Sequence, residues 1–128
     1  MADIEAMVKE AYAKFGAGDV EGLLDMFHDD AMFYVPGQTR VSGDHEKSAF
    51  VTSIAAPVME ISGGSFKEDI LDIYTSDHGA AVVLHHSLTR DGQEINYHTI
   101  HVWDVKGDKF NAWWEYPHEF DQFQRAWG

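Results

Sequence analysis

The second half of the chain most narrowly limits its fold. Four segments rich in β-branched and aromatic residues run from Phe66 to Thr75, Ala80 to Arg90, Glu94 to Val105 and Lys109 to Tyr116. They are separated by Ser-Asp-His-Gly, Asp-Gly and Lys-Gly-Asp. Side chains of these types pack well on a pleated surface, and short glycine-bearing polar links suit tight reversals. The pattern predicts an antiparallel meander.

The first half reads differently. Asp3 can cap a helix whose apolar positions Ile4, Met7, Val8, Ala11, Tyr12 and Phe15 recur at three- and four-residue spacing, with Gly16 and Gly18 ending it. Asp19 can cap a second helix over Val20 to Phe27. Ala31 to Val35 reads as a short strand stopped at Pro36-Gly37, and a loop follows to Gly43. Asp44 to about Met59 reads as a third helix, with Pro57 placed to kink its last turn. His118 to Trp127 can close the chain as a fourth, carrying Phe120, Phe123 and Trp127 on one side. Helices gathered ahead of an antiparallel sheet indicate an α+β fold with helices packed on one sheet face. No repeat or linker divides residues 1–128, so one domain is expected.

Composition excludes several functions. With a formal net charge of −13, the long-range field repels phosphate backbones and anionic lipid surfaces, so neither nucleic acid nor a membrane is an expected partner. The absence of cysteine removes disulfides, thiolate nucleophiles and thiolate metal sites. MADIEAMVKE has no basic region followed by an apolar one, and no apolar run approaches the roughly 20 residues of a membrane helix. A cytoplasmic protein is the expectation.

Between Val82 and Tyr116 lie four of the eight histidines, His85, His86, His98 and His101, together with Trp103, Trp113 and Trp114. Register decides which of them share a face, because a slip of one residue exchanges the two faces. A two-residue loop at Asp91-Gly92 would set His85 opposite His98; a three-residue loop would set His85 opposite Thr99. Even positions Val82, Leu84, Leu88, Ile100 and Val102 are apolar, and odd positions His85, Ser87, Thr89, Thr99, His101 and Trp103 are polar or aromatic. Pairing even with even selects the three-residue loop. That register places His86 and His98 on a greasy face and His85, Tyr97, Thr99, His101 and Trp103 on the other, to which Asn111, Trp113 and Glu115 would add.

Three segments carry a family likeness: AYAKFGAGDVEGLLDMFHDDAMFYVPG, VSGDHEKSAF and HVWDVKGDKFNAWWEYPHEFDQFQRAWG. With Gly-Asp between two helices, Asp-Asp before the first strand and Pro-Gly after it, the chain resembles the SnoaL-like polyketide cyclase and ketosteroid isomerase group of the nuclear-transport-factor-like superfamily. The resemblance implies a curved sheet wrapped by three N-terminal helices and a short C-terminal one, forming a cone around a mostly apolar pocket. It also implies a protein working without cofactor or metal, and a homodimer formed through the outer sheet surface around Leu84, Ile100, Val102 and Trp114. The isomerase's tyrosine donor would fall at Ala11, next to Tyr12, its carboxylate base at Val35 and its second acid at His101. Valine at 35 leaves that reaction without its base, so the likeness carries the fold and turns positions 85, 99, 101, 103, 113 and 115 toward the pocket.

In such a pocket His101 is the first choice for general base or donor, and Glu115 its natural partner, orienting it or acting as a base itself. His85 and Asn111 are expected to orient a substrate oxygen or water, Tyr34 to donate to a carbonyl, and Trp103 and Trp113 to stack on a flat ligand. Tyr12 and Val35 complete the expected binding set. His85, His101 and Glu115 would be the donors if a metal bound, although their spacing on separate strands forms no metal motif. The expected activity is proton transfer, as in isomerisation, cyclisation or dehydration, on a mostly apolar carbonyl or polycyclic molecule. A non-catalytic binding or dimerising module and an epoxide hydrolase are the alternatives.

Overall fold

The computed structural model describes residues 3–128. Helix α1 (Ile4–Gly16) begins where Asp3 accepts the Ala6 N–H at 3.1 Å, and it buries Ile4, Val8 and Ala11 along one stripe. Helix α2 (Val20–Leu24) starts in the same way, Asp19 accepting from Gly22 at 2.9 Å. Strand β1 (Phe27–Val35) follows at once, which shortens the expected second helix and lengthens the expected strand. The ladder against the last strand jumps between Phe27 and Met32, so Asp29 and Asp30 occupy an exposed irregularity in β1.

The expected third helix is divided. Strand β2 (Gly43–Glu46) takes its first residues and pairs with β1. A 3₁₀ turn (Lys47–Ala49) and a π-helical turn (Val51–Ala55) then lead into helix α3 (Ala56–Ser62). Pro57 sits in the first turn of α3, where its missing N–H is harmless; further into a helix its ring would clash with the preceding turn. The widened π turn ahead of it accommodates that restriction.

Strands β3 (Lys67–Thr75), β4 (Gly79–Arg90), β5 (Gln93–Lys106) and β6 (Lys109–Pro117) form the meander, and helix α4 (Phe120–Trp127) ends the chain. The six strands lie in the order β2-β1-β6-β5-β4-β3 in a curved, unclosed sheet. All neighbours are antiparallel except β1 and β6, which run parallel, a pairing the sequence reading lacked. The α+β class holds. Among the described residues no helix is long and apolar enough to cross a membrane.

Register across the β4–β5 hairpin corrects the expected arrangement. Arg90 pairs with Gln93 and His85 with His98, so Asp91-Gly92 is a two-residue loop, with φ of 50° and 76°. Positive φ at both central positions defines the turn whose twist matches the strands, and Asp-Gly is its preferred sequence. Even positions of β4 therefore share a face with odd positions of β5. Val82, Leu84, His86 and Leu88 point inward with Ile95, Tyr97, Thr99, His101 and Trp103. His85, His98, Ile100 and Val102 point outward, so Leu84 leaves the expected dimer surface and His85 leaves the expected pocket face.

The core fills the space between the inner sheet face and α1, α3 and α4. Aromatic rings dominate its floor: Phe27, Phe33, Phe110, Trp103 and Trp113 lie in contact with one another at centroid distances of 4.6 to 6.4 Å. Such pairs add about 0.5–1.5 kcal/mol each beyond the area they bury.

Candidate functional site

An apolar cavity lies between the inner sheet face and the helices, with about 80 Å³ of interior room and about 640 Å³ of empty space out to its mouth. Phe15, Leu23, Phe33, Val35, Phe50 and Ile54 are among its apolar walls. One region is polar, where Tyr12, Glu68, His86, Tyr97, His101 and Glu115 meet.

Strand pairing builds this polar region. His101 stands directly opposite Glu115 on the neighbouring strand, while Glu68, His86 and Tyr97 form a row across β3, β4 and β5. Side chains directly opposite on one face are close enough to bond. Helix α1 adds Tyr12 from above, and α4 adds Trp127.

Two chains of polar contacts result. In the first, the Trp103 indole N–H donates to Tyr12 Oη at 3.1 Å, Tyr12 Oη lies 2.7 Å from His101 Nδ1, and His101 Nε2 lies 3.3 Å from Glu115 Oε2. Thr99 Oγ1 also donates to that carboxylate oxygen, at 3.1 Å. In the second, the Trp127 N–H donates to Tyr97 Oη at 2.8 Å, Tyr97 Oη lies 3.0 Å from His86 Nδ1, and His86 Nε2 lies 3.0 Å from Glu68 Oε2. That last approach is off the direction of a hydrogen bond, and the buried Nε2 has no hydrogen-bond partner. The chains meet at Glu115, whose Oε2 is 3.8 Å from His86 Nδ1. The two imidazole rings are 5.3 Å apart.

Electrostatics follow from burial. His86, His101 and Glu115 are 2, 3 and 7% exposed. Desolvation alone would raise the Glu115 pKa, but the hydrogen bond and charge of His101, the charge of His86 and the Thr99 hydroxyl outweigh it and hold the carboxyl below its ordinary value. Burial, helped by the carboxylates of Glu68 and Glu115, pushes the Tyr12 and Tyr97 phenols well above theirs. Both tyrosines therefore keep their protons near neutrality. An ionised Glu115 only accepts, so His101 Nε2 carries a hydrogen, and a neutral His101 then accepts at Nδ1 from the Tyr12 hydroxyl. If His101 becomes imidazolium, the hydroxyl turns and accepts instead. The chain can thus move a proton without moving a heavy atom.

Of the residues expected from sequence, Tyr12, Val35, His101, Trp103, Trp113 and Glu115 border the cavity. Three do not. His85 faces outward because of the register, 4.0 Å from Asp69. Tyr34 alternates with the inward Phe33 and Val35 and stacks on Trp114 at 5.3 Å. Asn111 alternates with Phe110 and Ala112 and donates to Asp104 at 3.3 Å. Glu68, His86 and Trp127 were missed as site residues. The Asp-Gly dipeptide was the signal that would have turned His86 inward.

The set of His85, His101 and Glu115 cannot converge on a metal, since His85 is on the other face. Glu68, His86 and His101 each offer a donor atom, all within 4.8 Å of one another. A tetrahedral zinc shell with bonds of about 2.0 Å has edges of about 3.3 Å, so these three would have to draw together to close on an ion.

A curved sheet closed by helices over an apolar cavity with a titratable region defines a cone-shaped α+β domain. The family model of the SnoaL-like domain matches residues 8–113, and the chain belongs to that family. Among solved structures, Bal32a from a soil-derived mobile gene cassette is similar at 22% identity and a TM-score of 0.89, over 97% of this chain and 95% of that one. A protein of unknown function with cystatin-like fold from Xanthomonas campestris gives 22% and 0.85, over 100% and 99%. TerC, co-crystallized with polyporic acid, gives 18% and 0.82, over 94% and 95%. At these identities the likeness is one of fold. No curated protein matches the chain.

Proposed function

We propose that the cavity binds a flat, mostly apolar carbonyl compound and catalyses proton transfer on it, as an isomerase, cyclase or dehydratase does. The observation that carries this reading is the chain from Trp103 through Tyr12 and His101 to Glu115, placed where apolar walls exclude water. With His101 as imidazolium donating from Nδ1 to Tyr12 Oη, the phenol is free to hold a carbonyl oxygen as a neutral donor. His101 replaces the proton that Tyr12 gives up, and Glu115 stabilises the changing charge on the imidazole. Drug-sized ligands occupy about 300–1,000 Å³, so the interior room suits the reacting ring alone, with the rest of a larger molecule toward the mouth. The ligand of TerC supports an organic occupant for this kind of cone.

The test uses 2-tetralone, a flat enolisable ketone, and follows exchange of its α-hydrogens for deuterium in D₂O. Wild type is expected to accelerate exchange, and His101→Gln and Glu115→Gln to lower kcat about 100-fold. Binding seen by tryptophan quenching, with exchange no faster than in buffer, would instead make the protein a binding module.

The outer sheet face supports pairing of two copies. Tyr74, Ile100 and Tyr116 are exposed there. A monomeric mass by light scattering at micromolar concentration overturns the pairing.

A further inference from the structure

His101 and His86 end similar chains but differ in one respect. Both nitrogens of His101 are engaged, Nδ1 by Tyr12 and Nε2 by Glu115. Only Nδ1 of His86 is hydrogen-bonded; its buried Nε2 has no hydrogen-bond partner, and the residue lines the cavity. A buried polar atom left unpaired is destabilising by about 1–3 kcal/mol, so its retention calls for a use.

We propose that His86 is a second proton-transfer group of this pocket, taking a proton through Nε2 from a carbon beside a carbonyl whose oxygen Tyr12 holds. The inference rests on the proton-transfer reading given above and assigns the partner group that the reading lacks. Tyr97 accepts from the Trp127 indole and can accept from His86 Nδ1–H as well; in that tautomer Nε2 carries the lone pair the reaction uses. Glu68, 3.0 Å from Nε2, stabilises the imidazolium once it forms. The titratable groups facing His86 are Glu68 from β3, Tyr97 and His101 from β5 and Glu115 from β6, with Tyr12 of α1 reaching it through His101. Among the described residues that line the cavity there is no lysine or arginine.

The two imidazole rings, 5.3 Å apart between centroids, pack edge to face, so the enolisable unit takes the cavity side of the pair rather than the space between them. The C–H electron pair becomes the C=C bond, the carbonyl π pair moves onto oxygen, and that oxygen takes the Tyr12 proton, which His101 in its imidazolium form replaces from Nδ1, becoming neutral while Nε2 keeps its hydrogen toward Glu115. His86 holds the carbon's proton and returns it to the same carbon or to another in conjugation, as the oxygen's proton goes back through Tyr12 to His101. The sum is a tautomerisation, with no oxidant or co-reactant. The substrate class is a flat ketone with hydrogen on the adjacent carbon.

The test measures α-deuterium exchange of 2-tetralone across pH 5–9 with the full chain, together with the Kd of 2-naphthol, a flat phenol that offers no α-hydrogen for exchange. His86→Gln is expected to lower kcat at least 100-fold, to leave KM and the 2-naphthol Kd within threefold, and to abolish the acid limb of the rate profile. Glu68→Gln should lower kcat about tenfold, with recovery in Glu68→Asp, as a positioning role requires. If His86→Gln folds and keeps exchange within threefold, or keeps the acid limb, the proposal is overturned. If His86→Gln fails to fold, Glu68→Gln decides: exchange within threefold of wild type overturns the proposal as well. Loss of exchange in His86→Gln with none in His101→Gln would sustain His86 and overturn the role of His101. Absence of exchange by wild type overturns both.

Discussion

Tyr12 Oη lies 2.7 Å from His101 Nδ1, joining the first helix to the middle of β5. The same hydroxyl accepts from the Trp103 indole at 3.1 Å, so one atom ties α1 to two inward side chains of one strand. His101 and Trp103 stand two residues apart on β5, so strand alternation turns both toward that hydroxyl.

Tyr12→Phe isolates the value of that atom. The ring remains, but His101 Nδ1 and the Trp103 N–H both lose a buried partner. Destabilisation of about 1–3 kcal/mol is expected in urea unfolding, with little change in m. If Tyr12 also holds the substrate oxygen, kcat for 2-tetralone exchange falls about 100-fold. Unchanged stability would show that water replaces the hydroxyl without penalty.

Most of the fold was legible because local rules agreed with one another. Asp3 and Asp19 cap where helix signals begin, and the glycine-bearing turns delimit β3 to β6. The site was legible only where it does not depend on the β4–β5 register. His101 and Glu115 share a face by their positions in β5 and β6, and the chain places them opposite each other. His86 is hidden from a reading by binary pattern, because pairing even with even positions conflicts with the two-residue turn that Asp-Gly favours. A face that surrounds a cavity is not uniformly apolar, so binary pattern misleads there; Ile100 and Val102 look like core yet face outward. The reach of Trp127 from α4 to Tyr97 is a tertiary contact that no local pattern encodes.

The hairpin's backbone gives a test of that register. Gly92 has φ of 76°, and Gly92→Ala should destabilise by about 1 kcal/mol because a Cβ is strained there. Gly79, at the start of β4, faces a different obstacle: a methyl group would run into the Trp103 carbonyl oxygen. Gly79→Ala is therefore expected to lower Tm more than Gly92→Ala, by displacing β4 from β5. Equal shifts in Tm would count against the close approach.

Glu115 makes stability depend on pH in a stated direction. Its folded pKa is below the ordinary 4.5, so the contribution is present above about pH 4.5 and is lost as pH falls through the lower, folded value. Urea unfolding of wild type should lose stability over that acid range. Glu115→Gln should show a shallower acid slope, since the amide has no charge to lose. An identical slope in the two proteins would mean that folding leaves the Glu115 pKa unchanged.

Glu119 gives a second acid transition, on the surface and from a different cause. The His98 backbone N–H donates to its carboxylate at 2.7 Å, and His98 Nδ1 lies 3.0 Å from it. The backbone hydrogen bond first, then the side-chain one, lowers the Glu119 pKa to about 2. This contact fastens the start of α4 to β5, while at the other end Arg90 donates to the Ala126 and Gly128 carbonyls at 2.9 and 2.7 Å. Between them α4 delivers Trp127 to Tyr97, and so supports the chain that ends at His86. Because the folded pKa is depressed, Glu119 stabilises above about pH 4.5 and ceases to do so as pH falls toward 2. Glu119→Gln should therefore be less stable than wild type at pH 7 and approach it in the acid range. Hydrogen exchange at pH 7 should show α4 amides opening faster in the variant, while those of β1 and β6 are unchanged. Equal α4 protection in the two proteins would mean that the packing of Phe123 and Trp127 holds the helix without the carboxylate.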